Sequence, residues 1–337
     1  MHGTALTGIS PPPEGAAARV TRRLGIALAA GLLWPLTACS GTTAPAAPAA
    51  PQGPGHPIGR IVASADPSRA ATVGKVPRGA RCTAPPVIAH RGEGASIAPL
   101  PENTSVAELA AAKQGATLLN VDVRWTSDDV PVAIHDPTLN RTTTGAGPVA
   151  SITAAQFIAL GVRTNDGKRV LPGQHPQTLA QLLAAVRGTA VPIVIQMEAD
   201  PFAGGAGRPS IDSLAAVVSA SGYAGQVVVG GWAADDVSAF STAAPGVRTA
   251  YIQESGNPTA ASIRATGARI LYIDYAKLTP AQITAWHAGG LTVWAWTPAY
   301  VAQWTKLRAM GVDAIATNWI ANYRHWGRPC AVVLPPV

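Results

Sequence analysis

The sequence predicts an α/β protein whose one globular domain is a (β/α)8 TIM barrel. Three observations carry this. From Pro85 onward, short apolar runs alternate with amphipathic helical stretches. The alternation repeats about eight times in roughly 245 residues, the size of such a barrel. Polar, chemistry-bearing residues recur at the ends of the runs, where a barrel gathers its active-site loops. The runs are uninterrupted, as in parallel strands buried on both faces. An open doubly wound sheet is the alternative. No glycine-rich dinucleotide turn follows the first run, which counts against it.

Residues 1–39 read as an export signal. Arg19, Arg22 and Arg23 precede an apolar run from Leu24 to about Pro35, and Leu36-Thr37-Ala38-Cys39 follows. A basic flank, a short apolar segment and small residues are the pattern of a secretory leader. The run is too short for the ~20 residues that span a bilayer. The ending resembles a bacterial lipoprotein box, which makes Cys39 a candidate lipidation site. An ordinary leader cut near Ala38 is the alternative. Residues 40–82 are rich in Pro, Ala, Gly and Thr, and read as a flexible linker. The expected location is outside the cell, either anchored to the outer face of the membrane by lipid alone or secreted.

The barrel is expected over residues 83–326, with a C-terminal tail at 327–337. Candidate strands are Pro86–His90, Thr117–Val123, Val191–Glu198, Gln226–Gly231, Val247–Ile252, Arg269–Ile273, Leu291–Trp296 and Asp313–Thr317. Candidate helices are Thr104–Gln114, Gln177–Val186, Ser210–Ala220, Ala233–Thr242, Thr259–Thr266, Thr279–Ala288 and Ala299–Met310. Several open on a capping Ser, Thr or Asp. Ala288–Gly290 and Met310-Gly311 read as helix stops. The segment between the second and third strands is long, with a short helix near Ile152–Leu160. Enlarged loops at that end of a barrel are commonly functional.

Net charge is +7 and the isoelectric point is near 9.7. The basic residues are scattered, without Lys/Arg runs or aromatic–basic interleaving, so nucleic acid is not an expected partner. Setting Cys39 aside leaves Cys82 and Cys330. In an exported protein such a pair favours a disulfide, here joining the two ends of the barrel. Two free thiols are the alternative.

His90 and Arg91 end the first strand. Asn120 and Asp122, two apart on the second, point the same way, as do Gln196 and Glu198 on the third. His135-Asp136 follows in the enlarged loop, and Trp296 ends the seventh strand. Two histidines, an arginine and carboxylates on one rim can grip a phosphate, hold a metal and move protons. Glu102 and Asn103 precede a helix and read as its cap and as a brace for the first loop. His175 and His287 read as loop and helix-surface residues.

The ordered set Val87–Gly92, Pro101–Thr104, Asp122–Thr126, Pro131–Asp136 and Leu139–Thr143 resembles the glycerophosphodiester phosphodiesterase family. Leu291–Thr297 and Gly311–Thr317 are similar to its seventh and eighth strands. The resemblance covers about Pro85 to Tyr323. It implies metal-dependent hydrolysis of a small-molecule glycerophosphodiester to an alcohol and glycerol 3-phosphate. By that resemblance His90 and His135 are the acid/base pair, Arg91 holds the phosphoryl oxygens and Asp122 binds a metal, Ca2+ or Mg2+; Trp296, at the same rim, is a candidate substrate contact.

The chain departs from the family at the metal. Asn120 stands where the family has a glutamate, which leaves an amide oxygen and one negative charge fewer, so weaker metal affinity is expected. The family's Glu-x-Lys on the third strand is also altered. Two registers fit. Glu198 is the ligand with Asp200 at the lysine position, or Gln196 replaces the glutamate and Glu198 the lysine. The first is favoured because the site needs a second carboxylate. The first loop, Glu93–Leu100, is longer than usual. A non-catalytic phosphodiester-binding protein with a degraded metal site is the competing reading. A phospholipase D-like barrel acting on lysolipids is a third.

Overall fold

The computed structural model describes residues 82–92, 100–198 and 210–337. The expectations for the leader, Cys39, the linker as far as Arg81, the 93–99 loop and Asp200 lie outside the described residues.

The strands, in chain order, are β1 (Val87–Ala89), β2 (Leu118–Trp125), β3 (Pro131–Ala133), β4 (Val162–Arg163), β5 (Val170–Leu171), β6 (Ile193–Met197), β7 (Val227–Gly231), β8 (Arg248–Gln253), β9 (Ile270–Asp274), β10 (Thr292–Trp296) and β11 (Ala314–Thr317). The helices are α1 (Ser105–Gln114), α2 (Ala154–Ile158), α3 (Leu179–Val186), α4 (Ile211–Ala220), α5 (Ala234–Ala243), α6 (Ala260–Ala265), α7 (Pro280–Ala288), α8 (Val301–Met310) and α9 (Ile320–Trp326). Strands β1, β2 and β6 to β11 are parallel neighbours, and β1 bonds to both β11 and β2, so the barrel closes. The eight strands expected from the apolar runs are these eight.

Uninterrupted apolar runs form these strands because both of their faces are covered. Every residue of β2 is buried. Leu119, Val121 and Val123 join the layer between barrel and helices, with Leu179, Leu182 and Val186 of α3. Ile88, Leu118, Val194, Val228, Ile270 and Trp294 fill the barrel interior. Each such side chain contributes roughly 1.5–3 kcal/mol of burial. Threonines start several helices. Thr104, Thr153, Thr178, Thr259 and Thr279 each accept a backbone N–H of the first turn.

The excursion between β2 and β6 carries β3, α2 and the β4–β5 hairpin. Strand β3 runs antiparallel to β2, extending the sheet beyond the barrel seam. Val132, Ile134, Leu139, Val149 and Phe157 give the excursion its own small core. That core fixes the position of His135, which follows β3.

The opposite end of the barrel is closed by the segments that flank its first strand and its last helix. Ala84 bridges to Pro329, and Val332 and Leu334 pack against the interior cluster. The Arg248 side chain donates to the Pro335 carbonyl. Cys82 and Cys330 are joined by a disulfide across 248 residues of chain. A cross-link closing so long a loop removes much unfolded-state freedom. Replacing both cysteines by serine should therefore cost about 2–5 kcal/mol, read as a lower urea midpoint. The mouth lies at the other end, so residual ligand binding there should be retained at low temperature. An unchanged midpoint would contradict this.

Candidate active site

Strand β1 stops at Ala89, which leaves His90 and Arg91 at the first turn of the mouth. The His90 amide donates to the Thr317 carbonyl at 3.2 Å. Its ring Nδ1 pairs with Asn318 Oδ1 at 2.8 Å, just beyond β11. Arg91 has φ 60° and Asn103 has φ 56°, both in the left-handed region. Such conformations cost of order 1–3 kcal/mol and persist where surroundings over-determine them. Here the Asn103 amide donates to the Arg91 carbonyl at 3.0 Å. Gly92 makes the turn possible, since a Cβ there would meet Ala107 Cβ at 2.7 Å.

Asp122 sits at the centre, fully enclosed. Its backbone N–H donates to Asn103 Oδ1 at 2.9 Å, and Asn103 Nδ2 donates back to Asp122 Oδ2 at 3.2 Å. Arg91 Nε lies 3.0 Å from the same oxygen. The other oxygen, Oδ1, has no hydrogen-bond partner among the described residues. Asn120, also fully buried, accepts the Arg91 backbone N–H at 3.3 Å.

His135 has a different kind of neighbour. Its Nδ1 lies 3.0 Å from Asp136 Oδ1. Arg141 donates to both Asp136 oxygens, at 2.7 and 2.8 Å, and to both Glu102 oxygens, at 2.6 and 2.9 Å. Glu102 Oε1 in turn lies 3.4 Å from Arg91 Nη1. Arg91, Glu102, Arg141, Asp136 and His135 thus form one continuous chain of polar contacts.

On the adjacent strand β6 the ladder pairs Gln196 with Asp122, so these two are level. Glu198 lies one step nearer the mouth. Its Oε1 accepts from Gln196 Nε2 at 2.6 Å and from Trp232 Nε1 at 3.3 Å. Its Oε2 lies 3.8 Å from Arg124 Nη2. Trp232 meets Trp296 edge to face, with ring centroids 5.8 Å apart.

The electrostatics separate these groups. Burial, helped by the Arg91 charge, lowers the His90 pKa to about 4, against the opposing pull of Asp122, Asn318 and Glu102. At neutral pH this ring is uncharged. Burial acts to raise Asp136, but hydrogen bonds from His135 and Arg141 and their charges outweigh it, holding the carboxyl well below the usual range. Burial and then Asp122 raise Glu198. Glu108, on the inner face of α1, is wholly buried with both oxygens unpartnered among the described residues, and burial raises it well above the carboxylate range.

His90, Arg91, Asn120, Asp122, His135, Gln196, Glu198 and Trp296 all lie at the C-terminal rim or in the first layer beneath it. His175 and His287 lie elsewhere, bonded to the Leu160 carbonyl and to Asp313. The reading of Glu102 and Asn103 as cap residues needs correction. Thr104 caps α1, while Glu102 joins two arginines and Asn103 braces Asp122. Sequence reasoning also passes over Asn318 and Trp232, and gives Arg124 and Arg141 no role. Arg141 lies in the Leu139–Thr143 motif, but its four carboxylate contacts arise only in the fold.

A family profile described as the glycerophosphoryl diester phosphodiesterase family matches residues 90–322. A glycerophosphodiester phosphodiesterase of Caldanaerobacter subterraneus is 25% identical over 235 residues, covering 69% of this chain and 93% of that protein. Human glycerophosphodiester phosphodiesterase 1 is 42% identical over 98 residues, which is 29% of each chain. Two solved structures share the fold. One is a glycerophosphodiester phosphodiesterase from Agrobacterium tumefaciens, with TM-score 0.60 and 24% identity over 71% of this chain and 98% of that one. The other is an Oleispira antarctica phosphodiesterase in complex with the product sn-glycerol-3-phosphate, with TM-score 0.62 and 21% identity over 72% and 96%. The profile match begins at His90 and runs to α9, taking in every residue of the rim, and this chain belongs to the glycerophosphoryl diester phosphodiesterase family.

Proposed function

We propose that this barrel hydrolyses glycerophosphodiesters to an alcohol and glycerol 3-phosphate, with His90 as general base and His135 as general acid. The observation that carries the assignment is the unlike pair of ring partners. His90 gives its Nδ1–H to a neutral amide, beside the Arg91 cation. That leaves a free lone pair on Nε2, able to take a proton from water attacking phosphorus. His135 instead sets its Nδ1 3.0 Å from the Asp136 carboxylate, which fixes the ring with Nε2 turned away from it. Its Nε2–H can protonate the departing alkoxide as the P–O bond breaks. Arg91, facing the same space, offers guanidinium donors to the phosphoryl oxygens.

The donor set fits a hard divalent cation, Ca2+ or Mg2+. The observation is the buried, unpartnered Asp122 Oδ1; Asn120, two residues earlier on the same strand, and Glu198 are the further candidate ligands, with Gln196 in the other register. When bound, such an ion supplies positive charge to the phosphoryl oxygens. Asn120, the missing third-strand lysine and, in the other register, Gln196 support the rival reading of a binding protein that does not turn over. Purified protein given glycerophosphocholine should release glycerol 3-phosphate with Ca2+ or Mg2+ and lose activity with chelator. Asn120→Glu should tighten calorimetric metal affinity by ~10-fold or more, since a unit charge at short range exceeds ~1.4 kcal/mol. Saturable diester binding without product under any condition would establish the rival.

The base assignment has its own signature. His90 must be unprotonated, so kcat/KM should fall on the acid side only as pH drops toward about 4, not near the ordinary imidazole value of ~6.5. His90→Ala should lose ~100- to 10,000-fold. An acid limb at pH ~6.5 that disappears in His90→Ala would reject the assignment.

Export with lipid attachment at Cys39 is proposed as well. Its support is the leader pattern and the Cys82–Cys330 bridge, which suits an oxidising compartment. Mass spectrometry of the mature N-terminus should find an acylated Cys39. A mature protein starting elsewhere would refute it.

A further inference from the structure

We propose that Arg141 is a positioning residue that sets His135 and Arg91 in register with each other, so that phosphate grip and proton delivery are assembled by one side chain. The inference rests on the hydrolytic reading above and goes beyond it, because Arg141 need touch neither substrate nor reacting atoms.

A guanidinium has five N–H donors in a fixed planar fork. Every one is used. Nε donates to Asp136 Oδ2 at 2.7 Å, and Nη2 to Asp136 Oδ1 at 2.8 Å and Glu102 Oε1 at 2.6 Å. Nη1 donates to Glu102 Oε2 at 2.9 Å and to the Asn165 carbonyl at 3.0 Å. Two carboxylates on different segments are therefore held edge-on to one rigid plane. Asp136 hands its place to the His135 ring at 3.0 Å, and Glu102 hands its place to Arg91 at 3.4 Å.

The surroundings lock the clamp. The Glu102 backbone N–H donates to Asn165 Oδ1 at 2.8 Å, so the residue that receives Arg141 through its carbonyl also holds Glu102. Asn165 belongs to the tip between β4 and β5, which gives that hairpin a purpose: it carries the anchor of the fork. Glu102 is nearly buried, with a side chain 9% exposed, while Arg141 is about one-third exposed. A bidentate fork keeps a planar geometry that a lysine ammonium, a point charge, cannot reproduce. A displacement of about 1 Å at a reacting group can cost ~100-fold.

Arg141→Lys and Arg141→Gly, assayed on glycerophosphocholine under the conditions at which the unaltered enzyme turns over, test this. Turnover should slow by about 30-fold or more in both, an effect of the size that misplaced reacting groups produce. KM should change by less than about threefold in Arg141→Lys, where a cation remains near Glu102. Added guanidinium ion should restore at least roughly one-tenth of the lost rate to Arg141→Gly and nothing to Arg141→Lys, whose side chain fills the slot. A variant that had merely lost stability would show an altered melting temperature without that selective rescue. If Arg141→Gly does not fold, the split between kcat and KM in Arg141→Lys decides alone. Near-normal turnover in Arg141→Lys would overturn the proposal, and so would equal losses in both variants with no response to guanidinium. Absence of turnover in the unaltered enzyme would instead defeat the hydrolytic reading itself.

Discussion

A fully enclosed carboxylate at residue 122 is the constraint around which the mouth is organised. Removing an ionised carboxylate from water is expensive unless it is paired and hydrogen-bonded. Strand β2 must bury Asp122, because the strand lies between β1 and β6 with both faces covered. The compensation comes from loops on either side. Arg91 supplies charge, Asn103 supplies two hydrogen bonds, and both take up left-handed backbone to do so. The strained turn after β1 is thus held by the ion that it neutralises. Losing either partner would leave a buried charge exposed to its full desolvation cost.

From that centre, charge alternates outward. Arg91 meets Glu102, Glu102 meets Arg141, Arg141 meets Asp136, and Asp136 meets His135. Just past β6, Glu198 faces Arg124 of the neighbouring β2, whose Nε also donates to the His135 carbonyl at 2.6 Å. His135 is consequently gripped at its ring by one network and at its backbone by another. Pairs of this kind contribute little net stability once desolvation is counted. What they do supply is fixed geometry, which a reacting site needs more.

The barrel is legible in the sequence because strands buried on both faces write continuous apolar runs, and threonine caps mark the helix starts. The β4–β5 hairpin is not legible. Its strands are two residues each, and Val170 is half exposed. Helix α9 escapes notice as well. It buries Ile320 and Tyr323 but ends in Arg324-His325-Trp326, and its Tyr323 and Trp326 are held by an aromatic cluster with Trp304 that depends on tertiary contact. At the site, His90, Arg91, Asp122 and His135 can be found from position on the frame plus the family resemblance. Asn318 cannot, being 228 residues from the ring it orients. Glu102 cannot be told from a cap residue, because its function lies in Arg91 and Arg141, which approach from other segments.

The two ends of the barrel divide the work. At the closed end, Ala84, Pro329, Val332, Leu334 and the Cys82–Cys330 bridge finish the interior, with apolar contact and a covalent tie where no reaction takes place. Proceeding up the interior, apolar side chains give way first to Tyr272, whose buried hydroxyl is unpartnered among the described residues and is held neutral by burial and by Asp122. Asn120, Asp122 and Gln196 come next, then the rim. Each layer is more polar than the one below. The neutral amides Asn120 and Gln196 fit that gradient, because they add polarity below the rim without a further buried charge to compensate. The fold therefore rests on the apolar layers below, while His90 and His135 keep separate supports in Asn318 and Asp136. Stability and chemistry are borne by different layers of one structure, and Asn120 and Gln196 fall in the second.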